Sequence, residues 1–408
     1  VIIGLMIVLD IYVFQAVKLV SANAGARTRT TITAIYWTIS VVALLTLVLL
    51  PFLKLDNWSQ GLRSVVFAII IALFFAKVLA ALFLLIDDIR RLIQWAAGKL
   101  FFNNTEGEEL QAGEQISRSH FLTWAGLGVG GGVLGSLLYG FSNKYDYRIK
   151  KVPLKFSNLP QPFKGLKVVQ ISDIHSGSLL NHDAVKRGVE KINNLKPDLV
   201  LFTGDLVNNR ADEMQQLKMV FKELQAPMGV YSVLGNHDYG DYERWETPTH
   251  KKQNLETLKG VHAEMGWKLL LNQNAILERE GAQIGLLGVE NWSAKARFPK
   301  YGRLAEAYRG VEHLPFKILM SHDPSHWDAE VLPQYSDIDL MLAGHTHGMQ
   351  FGVELPWLRW SPVQYVYRQW AGLYEQGGQK LYVNRGFGFI GYPGRVGILP
   401  EITLFELV

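Results

Sequence analysis

Four stretches in the first 141 residues are too apolar for the helices of a water-soluble domain. Residues 1–20 read VIIGLMIVLDIYVFQAVKLV, residues 31–53 TITAIYWTISVVALLTLVLLPFL and residues 64–86 SVVFAIIIALFFAKVLAALFLLI. Residues 121–141, FLTWAGLGVGGGVLGSLLYGF, add a glycine-rich fourth. Each approaches the ~20 residues that a helix needs to cross a ~30 Å hydrocarbon core. A helix on a soluble core carries an apolar stripe, not an apolar circumference. The expectation is a membrane region over residues 1–150 with spans at 1–20, 31–53, 64–86 and 121–141. The chain starts at Val1 rather than Met, so further N-terminal residues are expected upstream.

The polar connections suggest an orientation. With four spans, residues 21–30 and 87–120 share a side and hold Arg27, Arg29, Arg90, Arg91, Lys99 and Arg118. Residues 54–63, on the other side, hold only Lys54 and Arg63. Lys and Arg favour the cytoplasmic side, which places the C-terminal half outside, as in an integral protein of a bacterial cell membrane. The longer connection includes IRRLIQWAAGKLFF, which reads as an interfacial amphipathic helix. Ser117-Arg118-Ser119-His120-Phe121-Leu122 resembles a twin-arginine export signal. Ser119 stands where the second arginine belongs, so the segment is read as a basic helix flank. Asp10 and Lys77 fall inside the first and third spans, which run parallel. Charges inside a bilayer are costly and tend to pair, so an Asp10–Lys77 pair is expected.

From about residue 151 the pattern changes. KVVQIS at 167–172, DLVLFTG at 198–204, GVYSVLG at 229–235, QIGLLGV at 283–289, KILMSH at 317–322 and DLMLAGH at 339–345 read as buried strands. Stretches 182–195, 211–224 and 249–265 read as helices. Residues 151–408 therefore form a layered α/β domain. The overall charged fraction of 19% lies below the ~25% of soluble domains because the first part depresses it.

The chemistry gathers at the ends of those strands. They finish in Ser172-Asp173-Ile174-His175, Gly204-Asp205, Gly235-Asn236-His237-Asp238, Ser321-His322-Asp323 and Gly344-His345-Thr346-His347-Gly348. In open α/β folds ligands bind beyond the carboxyl ends of the strands, so clusters far apart in sequence converge. Ten of the eleven histidines lie after residue 170, and five of those ten are in the motifs. Asp, Asn and His are oxygen and imidazole donors suited to two divalent ions such as Mn, Fe or Zn. Asp-x-His and His-x-His put both donors on one side of an extended segment. One carboxylate can bridge ions ~3.5–4 Å apart. The chain has no cysteine, which excludes thiolate metal sites, disulfides and a cysteine nucleophile. A net charge of +4 gives no nucleic-acid signature.

In order, D-x-H, G-D, G-N-H-D, H and G-H-x-H resemble the calcineurin-like metallophosphoesterases. VVQISDIHSG, LFTGDLVN, SVLGNHDYG, SHDP and LAGHTHGMQFG carry the likeness. The chain is most similar to the membrane-associated bacterial branch, which includes YkuE/YaeI-type phosphodiesterases and UDP-2,3-diacylglucosamine pyrophosphohydrolases. Its first half resembles transmembrane metallophosphoesterase proteins. The resemblance implies an α/β four-layer (α/β/β/α) sandwich. It implies one ion held by Asp173, His175, Asp205 and His347, and a second by Asp205, Asn236, His322 and His345. Asp205 is then the bridge, and metal-activated hydroxide the nucleophile. His237 would protonate the leaving group or steady the transition state, with Asp238 orienting it. Substrate contacts are sought at Asn208, Arg385 and Arg395.

The reading that follows is a membrane-anchored phosphoesterase for a phosphate or pyrophosphate ester, with the membrane and a lipid-linked or envelope substrate as partners. The alternatives are a tethered phosphatase or phosphodiesterase for soluble substrates and a non-catalytic ligand-binding receptor. Remaining features read as structural. His182, His250, His262, His313 and His326 are surface or packing residues. Trp357–Trp370 is aromatic enough for either a bilayer interface or internal packing. Gly126-Leu127-Gly128-Val129-Gly130-Gly131 matches a dinucleotide fingerprint but follows no strand. The spacings Gly128/Gly132 and Gly131/Gly135 suit close helix packing instead.

Overall fold

The computed structural model describes residues 2–52, 58, 60–101 and 118–408. The described chain separates into two compact units, Val1–Tyr139 and Gly140–Val408. Lys54 and Ser117, invoked above for orientation and export, lie outside the described residues.

The first unit contains α1 (Ile2–Ser21), α2 (Ala26–Leu49), α3 (Gln60–Phe101) and most of α4 (Arg118–Gly140). All four are long and apolar enough to cross a membrane. α3 departs from expectation: the third span and the proposed interfacial helix are one continuous 42-residue helix. Nothing between the span and Gly98 breaks a helix. Asp87 and Asp88 are instead bridged one turn on by Arg90 and Arg91, the spacing that supports an exposed helix.

The expected Asp10–Lys77 ion pair is present. Two residues that the sequence did not flag complete it. Ser40 donates to Asp10 Oδ1 at 2.9 Å and accepts from Lys77 Nζ at 2.8 Å. Tyr36 donates to the Asp10 carbonyl at 2.8 Å, and its ring lies 5.1 Å from the ammonium. The glycine packing differs from expectation by register. A Cβ on Gly128, Gly131, Gly132 or Gly135 would meet open space. Gly126 and Gly130 are the close approaches, against the backbone of Ala80 and Ala76 on α3.

The second unit is built on two six-stranded sheets. The first holds β1 (Arg148–Leu154), β2 (Leu166–Ile171), β3 (Leu199–Phe202), β4 (Val230–Ser232), β5 (Lys268–Leu269) and β14 (Glu401–Leu407), in the order β1-β14-β2-β3-β4-β5. The second holds β6 (Gln273–Arg279), β7 (Ala282–Gly288), β8 (Lys317–Met320), β9 (Leu340–Ala343), β12 (Gly372–Gln376) and β13 (Gln379–Val383), in the order β12-β13-β9-β8-β7-β6. A small antiparallel hairpin, β10 (Val353–Leu355) and β11 (Leu358–Trp360), stands apart. The six strands read from sequence are β2, β3, β4, β7, β8 and β9.

Side-chain alternation sorts each central strand into two cores. Val168, Leu199 and Leu201 meet Leu286, Ile318, Leu340 and Leu342 between the sheets. Val169, Ile171, Val200 and Phe202 face outward onto α5 (His182–Asn194) and α7 (Pro248–Glu264) through Val185, Val189, Leu258 and Val261. Leu287, Leu319 and Met341 face outward onto Leu304, Ala307, Trp327 and Val331. This gives four layers, with central parallel strands buried on both faces as uniformly apolar runs. The helix expected over 211–224 is broken into a 3₁₀ turn, Ala211–Met214, and the four-residue α6, Lys218–Phe221. Glu213 explains the break, because its carboxylate is committed to the loop before it.

Candidate metal centre

β2, β3 and β4 run parallel, as do β8 and β9. Their carboxyl ends deliver all five motifs to one place. Asp173, His175 and His347 offer ligand atoms within 4.8 Å of one another, and Asp205, His322 and His345 form a second such group.

The turns that carry these residues are strained. Asp173, His175, Asp205, His345 and His347 all have positive φ, between 48° and 70°. The left-handed region costs an L-residue roughly 1–2 kcal/mol, and such strain gathers at functional sites. Backbone hydrogen bonds hold the turns: Asp173 N–H to the Gly204 carbonyl at 2.9 Å and His175 N–H to the Asp205 carbonyl at 3.1 Å. The flanking glycines permit close approach. A Cβ on Gly344 would collide with Ser172 Oγ and Asp173 Oδ2, and one on Gly235 with Asp205 Oδ1.

Hydrogen bonds on the far side of His322, His345 and Asn236 leave their ligating atoms facing inward, the usual arrangement behind a metal. His322 donates from Nδ1 to the Thr203 carbonyl at 2.7 Å, which aims Nε2 at the centre. Tyr367 donates to Asp323 Oδ2 at 3.1 Å, so its oxygen accepts from His345 Nε2 at 2.8 Å and leaves Nδ1 unprotonated. Asn236 donates from Nδ2 to Tyr242 at 3.0 Å and presents Oδ1. His345 Nδ1 then lies 2.8 Å from Asn236 Oδ1 and 3.3 Å from His322 Nε2. His175 Nε2 and His347 Nε2 face each other at 3.0 Å. Ring nitrogens and carboxylate and amide oxygens converging this closely are a donor set that suits a cation, so the residues fit two divalent ions.

Asp205 lies between the groups. Its Oδ2 is 3.0 Å from His322 Nε2 and 3.7 Å from His175 Nε2, while Oδ1 accepts the His237 N–H at 2.8 Å. Burial pushes His175 down to about 3 and His345 down to about 4, which keeps both imidazoles in the neutral, ligating form. Burial raises Asp173 to about 6. At His322 burial is outweighed by the Asp205 carboxylate, which raises the imidazole to about 10.

Several expected roles are corrected. Asp238 does not orient His237. It is fully buried and accepts backbone N–H groups of Gly235, Asp205, Leu206 and Val207 at 2.8–3.2 Å, so it ties the loop that follows Asp205 to the Gly235-Asn236-His237 loop. His237 instead donates from Nδ1 to the Asn208 carbonyl at 2.8 Å. The Asn208 side chain, sought as a substrate contact, is half-buried and donates to Ser178 Oγ at 3.1 Å, which is compatible with that contact. Arg385 and Arg395 are no phosphate clamps. Arg385 is buried in ion pairs with Glu401 and Glu354. Arg395 has no exposed surface and donates to the carbonyls of His347, Arg385, Gly386 and Gly388. Each guanidinium matches internal acceptors, which no local sequence pattern distinguishes from a substrate clamp.

The sequence reading missed Glu213, Tyr242 and Tyr367 and gave Asp323 no role. Tyr242 follows the GNHDYG motif, and Asp323 stands inside SHDP, so motif proximity was the available signal. His262 and His326 are buried packing residues held by Ser232 and by Ser321 with Glu330. His250 and His313 are on the surface.

Residues 166–349 match the family described as Calcineurin-like phosphoesterase, and residues 1–144 match Probable Calcineurin-like phosphoesterase, transmembrane domain. The chain is 33% identical over 262 residues to Uncharacterized metallophosphoesterase YkuE of Bacillus subtilis, covering 62% of this chain and 83% of that one.

The chain belongs to the calcineurin-like phosphoesterases.

This family comprises metal-dependent phosphoester hydrolases. The phosphoesterase is also 30% identical to a Danio rerio transmembrane protein with metallophosphoesterase domain, over 65% of this chain and 59% of that one. It is 27% identical to UDP-2,3-diacylglucosamine pyrophosphatase LpxG of Chlamydia trachomatis, over 62% of this chain and 88% of that one. It thus spans well under two thirds of the Danio protein. Its transmembrane-domain match and four apolar helices make it a membrane protein.

Proposed function

We propose that this phosphoesterase hydrolyses a phosphate or pyrophosphate ester carried on a lipid or another envelope component, from a site facing away from the cytoplasm of a bacterial cell. The observation that carries the catalytic reading is Asp205 Oδ2, set between two buried His/Asp groups. Asp173, His175, Asp205 and His347 would hold one ion, and Asp205, Asn236, His322 and His345 the other. Two divalent ions (Mn, Fe or Zn) bound there would supply Lewis acidity and make a water nucleophilic near neutral pH.

The chain itself places protons and charge. The Asn208 carbonyl fixes the His237 proton on Nδ1, leaving Nε2 to exchange a proton with the leaving oxygen. Cations for the phosphoryl oxygens come from the loop beside Tyr367, in place of the two buried arginines. Lys295 Nζ lies 5.3 Å from the Tyr367 ring centre, and the Arg297 guanidinium 4.6 Å from that of Phe298, whose ring is 4.8 Å from His345. The lipid-linked substrate is supported by the membrane anchor and by the Chlamydia relative, named for a pyrophosphatase acting on a diacylated sugar nucleotide.

The test is hydrolysis by the purified full chain, loaded with Mn, Zn or Fe, of p-nitrophenyl phosphate, bis-p-nitrophenyl phosphate and a diacylated sugar-nucleotide pyrophosphate in mixed micelles. Preference for the lipid supports the proposal. Turnover of the soluble esters alone assigns a tethered soluble-substrate hydrolase. No turnover with both ions bound assigns a binding protein.

A further inference from the structure

The hairpin that follows the Gly-His-Thr-His loop is inside out. Directly opposed residues of an antiparallel pair share a face, and β10–β11 pairs Val353 with Trp360, Glu354 with Arg359 and Leu355 with Leu358. The charged pair is engaged with the domain. Glu354 accepts from Arg385 at 2.6 Å, and the Arg359 guanidinium lies over the rings of Trp370 and Tyr374 at 5.5 and 5.6 Å. The apolar face is left to solvent, with Val353, Leu355 and Leu358 all exposed. Trp357 at the tip is 81% exposed, and Tyr365 in the next turn is 77% exposed beside the exposed Val366. Trp360 Nε1 reaches Tyr365 at 3.4 Å and joins the two segments into one patch.

We propose that this patch is a lipid-docking surface that seats the catalytic unit on the headgroup–acyl boundary of a phospholipid bilayer. A single exposed apolar residue needs no explanation, but a contiguous apolar patch on the face opposite a charged pair that is itself held by Arg385, Trp370 and Tyr374 does. Its chemistry is interfacial: aromatic rings with a polar edge at the tips, aliphatic side chains behind them, and the exposed Arg368 alongside for anionic headgroups. The bilayer is favoured over other occupants by the tether. α4 ends at Gly140 and β1 opens at Arg148, so a unit following a membrane-length helix meets lipid at high effective concentration. The segment ends at Tyr367, which holds His345, so docking takes place beside the metal groups. The inference rests on the hairpin and not on which ester is hydrolysed.

The chain has no native cysteine, so single cysteines report cleanly. Full-chain Trp357→Cys, Tyr365→Cys and, as a control at an exposed position of α7, Lys252→Cys carry an environment-sensitive NBD fluorophore in nanodiscs of phosphatidylcholine and phosphatidylglycerol. The labels at 357 and 365 should emit blue-shifted light and lose intensity when acyl-brominated lipids replace ordinary ones, while the label at 252 keeps water-like emission. Water-like, unquenched emission at 357 and 365 overturns the proposal. So does shielding that rises with protein concentration in detergent but shows no bromolipid quenching, which assigns the patch to a contact between copies.

Discussion

Glu213 lies outside every motif, yet its four contacts predict a large effect on catalysis. Oε2 accepts the backbone N–H groups of Gly177 and Asn208 at 3.1 and 2.6 Å, and Oε1 those of Asn209 and Arg210 at 3.0 and 2.9 Å. Glu213→Gln keeps one oxygen and turns an NH2 group toward the other two donors. Two hydrogen bonds to a charged acceptor are lost, each contributing about 1.5–3 kcal/mol. The site is only half buried, and water can satisfy part of the loss, so about 3 kcal/mol remains as drive for the loop to shift. That loop carries the Asn208 carbonyl that fixes His237, and a displacement of ~1 Å can slow a reaction ~10²-fold. Glu213→Gln should therefore lower kcat on a p-nitrophenyl ester about 10–100-fold with both ions retained, counted by elemental analysis. His237→Ala should cost ~10²–10⁴-fold, and the double variant should be no slower than His237→Ala alone, since residues acting as a unit are not additive. Wild-type kcat in Glu213→Gln, or losses that multiply in the double variant, refutes the coupling.

Gly344→Ala drives a methyl group into Ser172 and Asp173, so bound metal should fall and activity drop by at least ~10²-fold; unchanged metal content contradicts the packing argument. His262 is fully buried and its folded pKa is held at about 3 by that burial, against ~6.5 unfolded. Its depressed pKa means that stability is full above ~6.5 and falls as pH drops, by up to about 1.4 kcal/mol per unit. His262→Leu should flatten the fall in melting temperature between pH 7 and 5, and parallel curves would count against it. Exchanging the charges with Asp10→Lys and Lys77→Asp together should restore the folded yield lost in either single variant, and a double variant no better than the singles removes the ion-pair reading.

What was legible in the sequence were features with a local signature. Buried parallel strands are uniformly apolar, so β2, β3, β4, β7, β8 and β9 could be read, and their ends announced the Asp and His residues that cluster in the fold. The intramembrane pair was legible because Asp10 and Lys77 are costly unless matched. What was hidden depends on partners distant in the chain. Asp238 and the Asn208 carbonyl exchange roles around His237 because a backbone carbonyl carries no sequence signature. Arg385 finds Glu401 and Glu354, and Arg395 finds four carbonyls, only once the C-terminal strand closes the first sheet. Gly126 and Gly130, not their neighbours, face α3 because helix rotation is set by packing that a repeat of small residues leaves open. β5 and β10 are too short to show alternation.

The central claim is that Asp205 joins two ions into one hydrolytic site. Metal content and p-nitrophenyl ester hydrolysis of the full-length Asp205→Asn variant, beside the unaltered chain, test it most directly. The account predicts two ions per chain falling to one or fewer, with turnover reduced by at least ~10²-fold. Two tightly bound ions and undiminished turnover in Asp205→Asn would contradict it.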